Sequence, residues 1–460
     1  MIIYSRIAIL LIFWLIAVGA IIRKNWREKD INSALTVIYV VNLCLQYAVA
    51  ALLYLLPWHQ YINGKWMLNG FTEATFAVCA FAIGNLILAT PITRSILLHP
   101  EKHNVTDRVV PRSPYKRAKT YFWIGLIFYT ILPPFLIGYP TITSIMIAAQ
   151  QLMTTGLCLI CWQAWSEKNK NKFNRWLLIS FSLPFLSIIY HGFLGAGLMM
   201  VLIILFFVAR FFIPRWKTLI IAVLLIYLGL SLYLSYMRDR EDIRTVIRAH
   251  AGLSERIGTL KNTVTNPIWF NPFSLEQLEI IDERMNQNIL LGAVVEHLNS
   301  GAVDYAYGKT LWDSVIALIP RAIWPEKYIV AGGSVLVSKY TGIAFGEETS
   351  VGTGQAMELY INFGRMGVII GFLVLGIIVA IIDMRAGQYL LAGNLDKFIL
   401  WFLPGLASLM SGSFVEATAS AGAAVFVVLS ITSLNIWFAL PIAYLMFEVI
   451  RRVILGLLRL

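Results

Sequence analysis

Two short stretches of this sequence gather residue types able to hold charged and sugar-like groups. The first is Ile319-Pro320-Arg321-Ala322-Ile323-Trp324-Pro325-Glu326-Lys327. Its two prolines prevent a continuous helix and fix a turn. Arg321 offers a bidentate fork to a phosphate and Lys327 a point charge. Trp324 between them offers a face on which a sugar stacks, or an anchor at a membrane interface. The second stretch is Glu358-Leu359-Tyr360-Ile361-Asn362-Phe363-Gly364-Arg365-Met366-Gly367, which ends at an apolar run. Glu358 and Arg365 would sit at the edge of that run, where ionisable groups are expensive and usually purposeful. Burial raises a carboxyl pKa and a nearby guanidinium lowers it, so the residues alone leave the protonation of Glu358 open.

The elements that must position these stretches are membrane helices. Charged residues are 13% of the chain, about half the share usual in soluble proteins. Mean hydropathy is +0.73. Apolar runs long enough to cross about 30 Å of hydrocarbon recur throughout, and in lipid such runs must be helical. The expected spans are 4–22, 33–57, 72–90, 120–138, 142–165, 176–191, 195–213, 218–236, 367–383, 398–413 and 419–447. This predicts an all-α polytopic membrane protein of about eleven transmembrane helices: a bundle over 1–236, a large loop over 237–366 and a second bundle over 367–460.

Lysine and arginine crowd the connections 23–30, 91–119, 166–175, 210–217, 384–397 and the tail after 448. The opposing short segments hold only Arg6 and Lys65. Basic short loops stay cytoplasmic, so the N-terminus and the large loop are expected outside and the C-terminus inside. A cleaved N-terminal signal is the alternative for the first segment, but it would require Arg23 to Lys29 to cross the membrane. The net charge of +12 thus reflects topology rather than a nucleic-acid partner. Cys158 and Cys161 form a C-x-x-C inside an apolar run, where core packing is the expected role.

The large loop opens on Arg238-Asp239-Arg240-Glu241-Asp242, either a self-paired cap or a headgroup contact. Leu275 to Leu298 reads as one amphipathic helix carrying Arg284 and His297. A lone histidine is more often a packed residue than a base. Leu311 to Pro320 is apolar but too short to span.

Tyr307-Gly308-Lys309-Thr310, then Ile319-Pro320-Arg321 with Trp324-Pro325 and Lys327, then Glu358 to Gly364 with Gly367, resemble the bacterial O-antigen and exopolysaccharide repeat-unit polymerases (Wzy-type), including those of enterobacterial common antigen. About sixty residues bear the motifs; elsewhere the resemblance is of topology. It implies a metal-independent, cofactor-free inner-membrane glycosyltransferase with a fold similar to the GT-C type. Its donor and acceptor would be undecaprenyl-diphosphate-linked oligosaccharides, joined en bloc at the periplasmic face among membrane lipids. A flippase and a chain-length co-polymerase are the implied partners. A diphosphate leaving group needs positive charge, for which Arg321, Lys327, Arg284 and Arg365 are candidates. The acceptor hydroxyl needs a base, Glu358 first and His297 second. Trp324, Tyr360 and Asn362 would hold sugar. No Asp-x-Asp pair occurs in the loop, as suits a lipid-linked rather than a metal-bound nucleotide donor. The arginine that family members often carry between glycines is replaced here by His191-Gly192-Phe193-Leu194-Gly195-Ala196-Gly197.

The rival enzyme is an O-antigen ligase, which uses the same donor. A flippase or transporter would be expected to show internal repeats and more midplane charge than Glu73, His191 and Glu416. A scaffold would leave the Arg, Trp, Glu and Tyr cluster without purpose.

Overall fold

The computed structural model describes residues 2–28, 31–58, 63–98, 114–132, 140–211, 216–249, 251–319, 324, 326, 333–346 and 351–432. All regular structure among them is helical. Helix α1 is Ile2–Arg27. Helix α2 (Leu35–Leu53) contains a π-helical turn at Cys44–Ala48. Helix α3 begins as Gly64–Ile83 and continues through the π-helical Gly84–Leu88 into Ala89–Leu98. Then come α4 (Pro114–Thr130), α5 (Pro140–Ser166), α6 (Lys170–Ser180), α7 (Leu183–His191) and α8 (Leu194–Ala209). Helices α9 (Trp216–Arg248), α10 (Leu253–Thr265), α11 (Leu275–Met285), α12 (Gln287–Asn299), α13 (Lys309–Ala317) and α14 (Gly333–Thr341) follow. The last three are α15 (Gln355–Leu391), α16 (Leu395–Leu409) and α17 (Phe414–Thr432).

Among the described residues, eight helices are long and apolar enough to cross a membrane. Three expected spans coincide with shorter helices: α4, α8 and α16 have 17, 16 and 15 residues. The segment Arg238 to Asp242 does not open a loop. It continues α9, where Arg238 forks onto Asp239 at 2.6 and 2.8 Å. The single amphipathic helix expected over Leu275 to Leu298 is two helices, interrupted at Asn286. Asn286 caps the second by accepting from the Asn288 N–H at 3.1 Å, and its amide donates to Asp282 at 2.8 Å. Buried Asp282 is pushed up to about 6 by the loss of water around it.

The bundle packs through small residues, as membrane helices do where lipid tails compete with apolar side chains. A Cβ added at Gly70 would lie 1.9 Å from the Asn288 carbonyl oxygen, and one at Gly292 would lie 1.8 Å from that of Trp66. These two contacts press α12 along α3, so α12 is part of the packed bundle. Trp14 stacks on Phe71 at 5.5 Å beneath them.

Helix α15 organises the rest. At Phe363 and Gly364 the backbone leaves helical geometry, with φ −142° then φ +61°, ψ −153°. The residues before the break fold back on those after it: Leu359 packs so close that a Cβ on Gly367 or Gly371 would clash with its carbonyl or its side chain. At the far end Asp383 accepts from Ser33 N and Oγ (both 2.7 Å), Leu35 N (3.0 Å) and Thr36 N (3.2 Å), closing the start of α2.

The Gly364 conformation is one that only glycine adopts without strain. Gly364→Ala should therefore destabilise the protein by about 1–3 kcal/mol. Gly19→Ala, at a helical position with nothing within 4 Å of an added Cβ, should not lower stability. Thermal melts of the two detergent-purified variants check this; equal melting temperatures would refute the strained turn.

Candidate functional site

Gln355 to Asn362, the segment before the break in α15, is buried at every position. Its carboxylate, Glu358, is 1% exposed. The Phe414 N–H donates to Glu358 Oε2 at 2.7 Å, so Glu358 caps the start of α17 from another helix. Glu358 Oε1 is buried and makes no hydrogen bond of ordinary geometry among the described residues, with the Thr310 side chain within hydrogen-bonding reach of the carboxylate. Thr310 at the start of α13 lies beside this carboxylate, and Asp313 and Glu416 add negative charge nearby. Glu416 Oε2 accepts from the Gly412 N–H at 2.9 Å, and the Gly412 carbonyl accepts from the Gly354 N–H at 2.6 Å, tying together the connections that precede α15 and α17.

Asn362 is the clamp. It is 0% exposed, and its Nδ2 donates to Thr310 Oγ1 at 2.6 Å and to the Glu358 carbonyl at 2.8 Å. Its Oδ1 accepts from the Gly308 N–H at 2.9 Å. With both ends of the amide engaged, Asn362 orders the site rather than facing a sugar. Tyr360 is 5% exposed and lies within the electrostatic reach of Glu73, Tyr305 and Arg365.

Arg365 does not pair with Glu358. It forks onto Glu73 of α3, with Nε to Oε1 at 2.9 Å and Nη2 to Oε1 at 2.6 Å, and covers the Phe76 ring at 4.8 Å. Glu73 is 1% exposed whereas the Arg365 side chain is 54% exposed, so the arginine neutralises a buried carboxylate while keeping an open edge. Arg284 ends α11, exposed and near Tyr233 and Arg240, on the side of the structure formed by α9 and α11. His297 in the last turn of α12 is half-buried, its ring against Gly342, where an added Cβ would meet Cε1 at 3.2 Å. Trp324 is 41% exposed. Arg321 and Lys327 lie outside the described residues.

Three features were given no individual role by the sequence. Asp313 and Thr310 share the buried side of α13, a pairing visible only once that short stretch is read as a helix. Lys309 is exposed beside Thr310 and forms no ion pair among the described residues. Tyr307 is 76% exposed at a positive φ of 46°, a strained conformation for an aromatic residue, beside Tyr305 at 6.2 Å. The His191 ring is taken up structurally, with Nε2 3.1 Å from the Tyr129 carbonyl and the two rings edge to face at 4.4 Å.

A sequence profile for a family described as a domain of unknown function, DUF8712, matches residues 10–400. The chain belongs to that family. No curated protein and no solved structure matches it. The DUF8712 match takes in Glu73, Thr310, Glu358, Asn362 and Arg365, while Phe414, which holds Glu358 in place, falls after it.

Removing one partner of the Glu73–Arg365 pair strands a buried carboxylate. Arg365→Met should lower stability by about 1–3 kcal/mol, the lower part of the range for a pair with one exposed partner. Adding Glu73→Gln should restore most of it. A double-mutant cycle of thermal melts measures the coupling, and additive losses would show that the pair is not coupled.

Proposed function

We propose that this protein polymerises lipid-linked oligosaccharides, transferring a glycan from polyprenyl diphosphate to the terminal hydroxyl of a second lipid-linked repeat unit. The reaction would take place at the extracytoplasmic face of a bacterial inner membrane. The observation that carries this reading is Glu358, a buried carboxylate with one oxygen held by the Phe414 N–H and the other, beside the Thr310 hydroxyl, making no hydrogen bond of ordinary geometry among the described residues.

In the transfer, Glu358 Oε1 takes the proton of the acceptor hydroxyl as that oxygen bonds to the anomeric carbon. The bond from the anomeric carbon to the diphosphate oxygen breaks, and its electron pair leaves with the diphosphate. Positive charge at the leaving group is the other requirement. Arg321 and Lys327 are the first candidates, joined by exposed Lys309 and by the open edge of Arg365. Tyr307 and Trp324, both exposed, are the sugar platforms, and Asn362 holds Thr310 against Glu358. A flippase supplying substrate and a co-polymerase setting length are the partners this reading entails.

The Phe414 contact also favours a plainer reading, in which Glu358 only caps α17. Glutamine separates the two, because its carbonyl still accepts from Phe414 but cannot take a proton. Glu358→Gln should keep the wild-type melting temperature and lose turnover by about 10²–10⁴, the usual cost of removing a general base. Purified Glu358→Gln that polymerises at the wild-type rate would leave the carboxylate as a cap and pass the base to His297. In cells, deletion of the gene should leave single repeats attached to their final acceptor; a ligase would leave none. The orientation is tested by Ser274→Cys, which should react with a membrane-impermeant maleimide in intact cells. Labelling only after permeabilisation would overturn the topology and the reading with it.

A further inference from the structure

Helix α13 is built inside out for a water-exposed element. It buries Thr310, Asp313 and Ser314 along with the single apolar Ile316, while exposing Trp312 (62%), Val315 (51%), Leu318 (50%) and Ile319 (37%, just beyond its end). Trp312, Val315 and Ile319 are spaced three and four residues apart, so they form one apolar stripe. In water a surface helix turns its apolar stripe to the core. The reverse arrangement is stable where the surrounding solvent is hydrocarbon.

The packing of α13 points the same way. It runs parallel to α17, a helix long and apolar enough to span a membrane. Thr310 lies beside Glu358, which holds Phe414. One turn on, the Thr418 hydroxyl donates to the Ser314 carbonyl at 2.8 Å, and a turn further Leu318 fits against Gly422, where a Cβ would meet its Cδ2 at 3.2 Å. The two helices therefore stay in step from Phe414 to Gly422, about 12 Å at 1.5 Å per residue. The Ser314 carbonyl is a group that a helix end leaves free, because the Leu318 N–H bonds to Val315 instead. In lipid such a carbonyl must find a partner within the protein, and Thr418 provides it.

We propose that Lys309–Ala317 is a re-entrant membrane helix that enters the bilayer beside α17, with the Trp312, Val315 and Ile319 stripe against lipid hydrocarbon. This insertion does not depend on the transfer reaction proposed above.

Spin labels at Tyr307→Cys, Trp312→Cys, Val315→Cys and Ile319→Cys test it. The carrier is the full chain in phospholipid vesicles, with Cys44, Cys79, Cys158 and Cys161 replaced by serine. Collision with oxygen over collision with a water-soluble nickel chelate should rise from 312 to 315 to 319, while 307 favours nickel. Labels at 315 and 319 that favour nickel would show a water-facing helix and overturn the proposal. Labels shielded from both reagents would show a face docked on protein, a second copy included, and overturn it equally. Should the serine background fail to fold, the native chain in the same vesicles can be treated with a membrane-partitioned carbene precursor. Peptide mass analysis should then find adducts within 312–319. Adducts in that peptide only from a water-soluble carbene precursor would again overturn the insertion.

Discussion

A helix of 37 residues, the length of α15, would run about 55 Å, nearly twice the hydrocarbon thickness of a bilayer. The backbone reversal at Phe363–Gly364 resolves that conflict by giving the spanning part to the residues after it and folding Gln355 to Asn362 back into the bundle. Everything at the candidate site hangs on this turn. It puts Glu358 in reach of the Phe414 N–H, Asn362 in reach of Gly308 and Thr310, and Arg365 over Glu73. Only glycine takes the Gly364 geometry at low cost, and the Leu359 carbonyl against Gly367 needs a second residue without a Cβ.

The same helix meets the solvent problem of a membrane in one manner at both ends. A helix start leaves N–H groups without partners, and in lipid these cannot turn to water. Asp383 answers for α2 and Glu358 for α17, each from a distant part of the chain. The difference between them is informative. Asp383 uses both oxygens, accepting four hydrogen bonds, whereas Glu358 commits one to Phe414 and leaves Oε1 with only the nearby Thr310 hydroxyl and no hydrogen bond of ordinary geometry among the described residues. A buried carboxylate oxygen without a partner is costly. A purely structural cap would be expected to resemble Asp383, and that asymmetry is the physical reason to look for chemistry at Glu358 and not at Asp383.

The helical, membrane-embedded class was legible because long apolar runs need no partner to be recognised. Glu358, Tyr360, Asn362 and Arg365 were legible as a group because they crowd eight consecutive positions. Their roles were not. Asn362 reads from its neighbours as a sugar contact, and only the fold shows its amide spent on Gly308, Thr310 and the Glu358 carbonyl. Arg365 and Glu358 are seven apart, two turns on an unbroken helix, yet the break between them sends Arg365 to Glu73, nearly three hundred residues earlier. The stretch over 237–366 reads as a loop between spans because its apolar runs are too short to cross a membrane. Length settles spanning and nothing else: α12 packs along α3 through Gly70 and Gly292, and α13 follows α17.

If α13 enters the bilayer as proposed, these placements join the site to the membrane without a separate device. Thr310, beside Glu358, precedes Trp312 by two residues, about 3 Å of rise along α13. A molecule with a polar head and a long apolar tail would then need no cavity deep in the protein to bring its head to Glu358. Its tail would lie along the Trp312, Val315 and Ile319 stripe while its head reached the start of α13. The polar side of that helix, Thr310, Asp313 and Ser314, is turned inward and shielded. On the proposed reading, an apolar tail would have one flank of α13 to follow, which would bring a reacting head toward Oε1 within a single turn of helix.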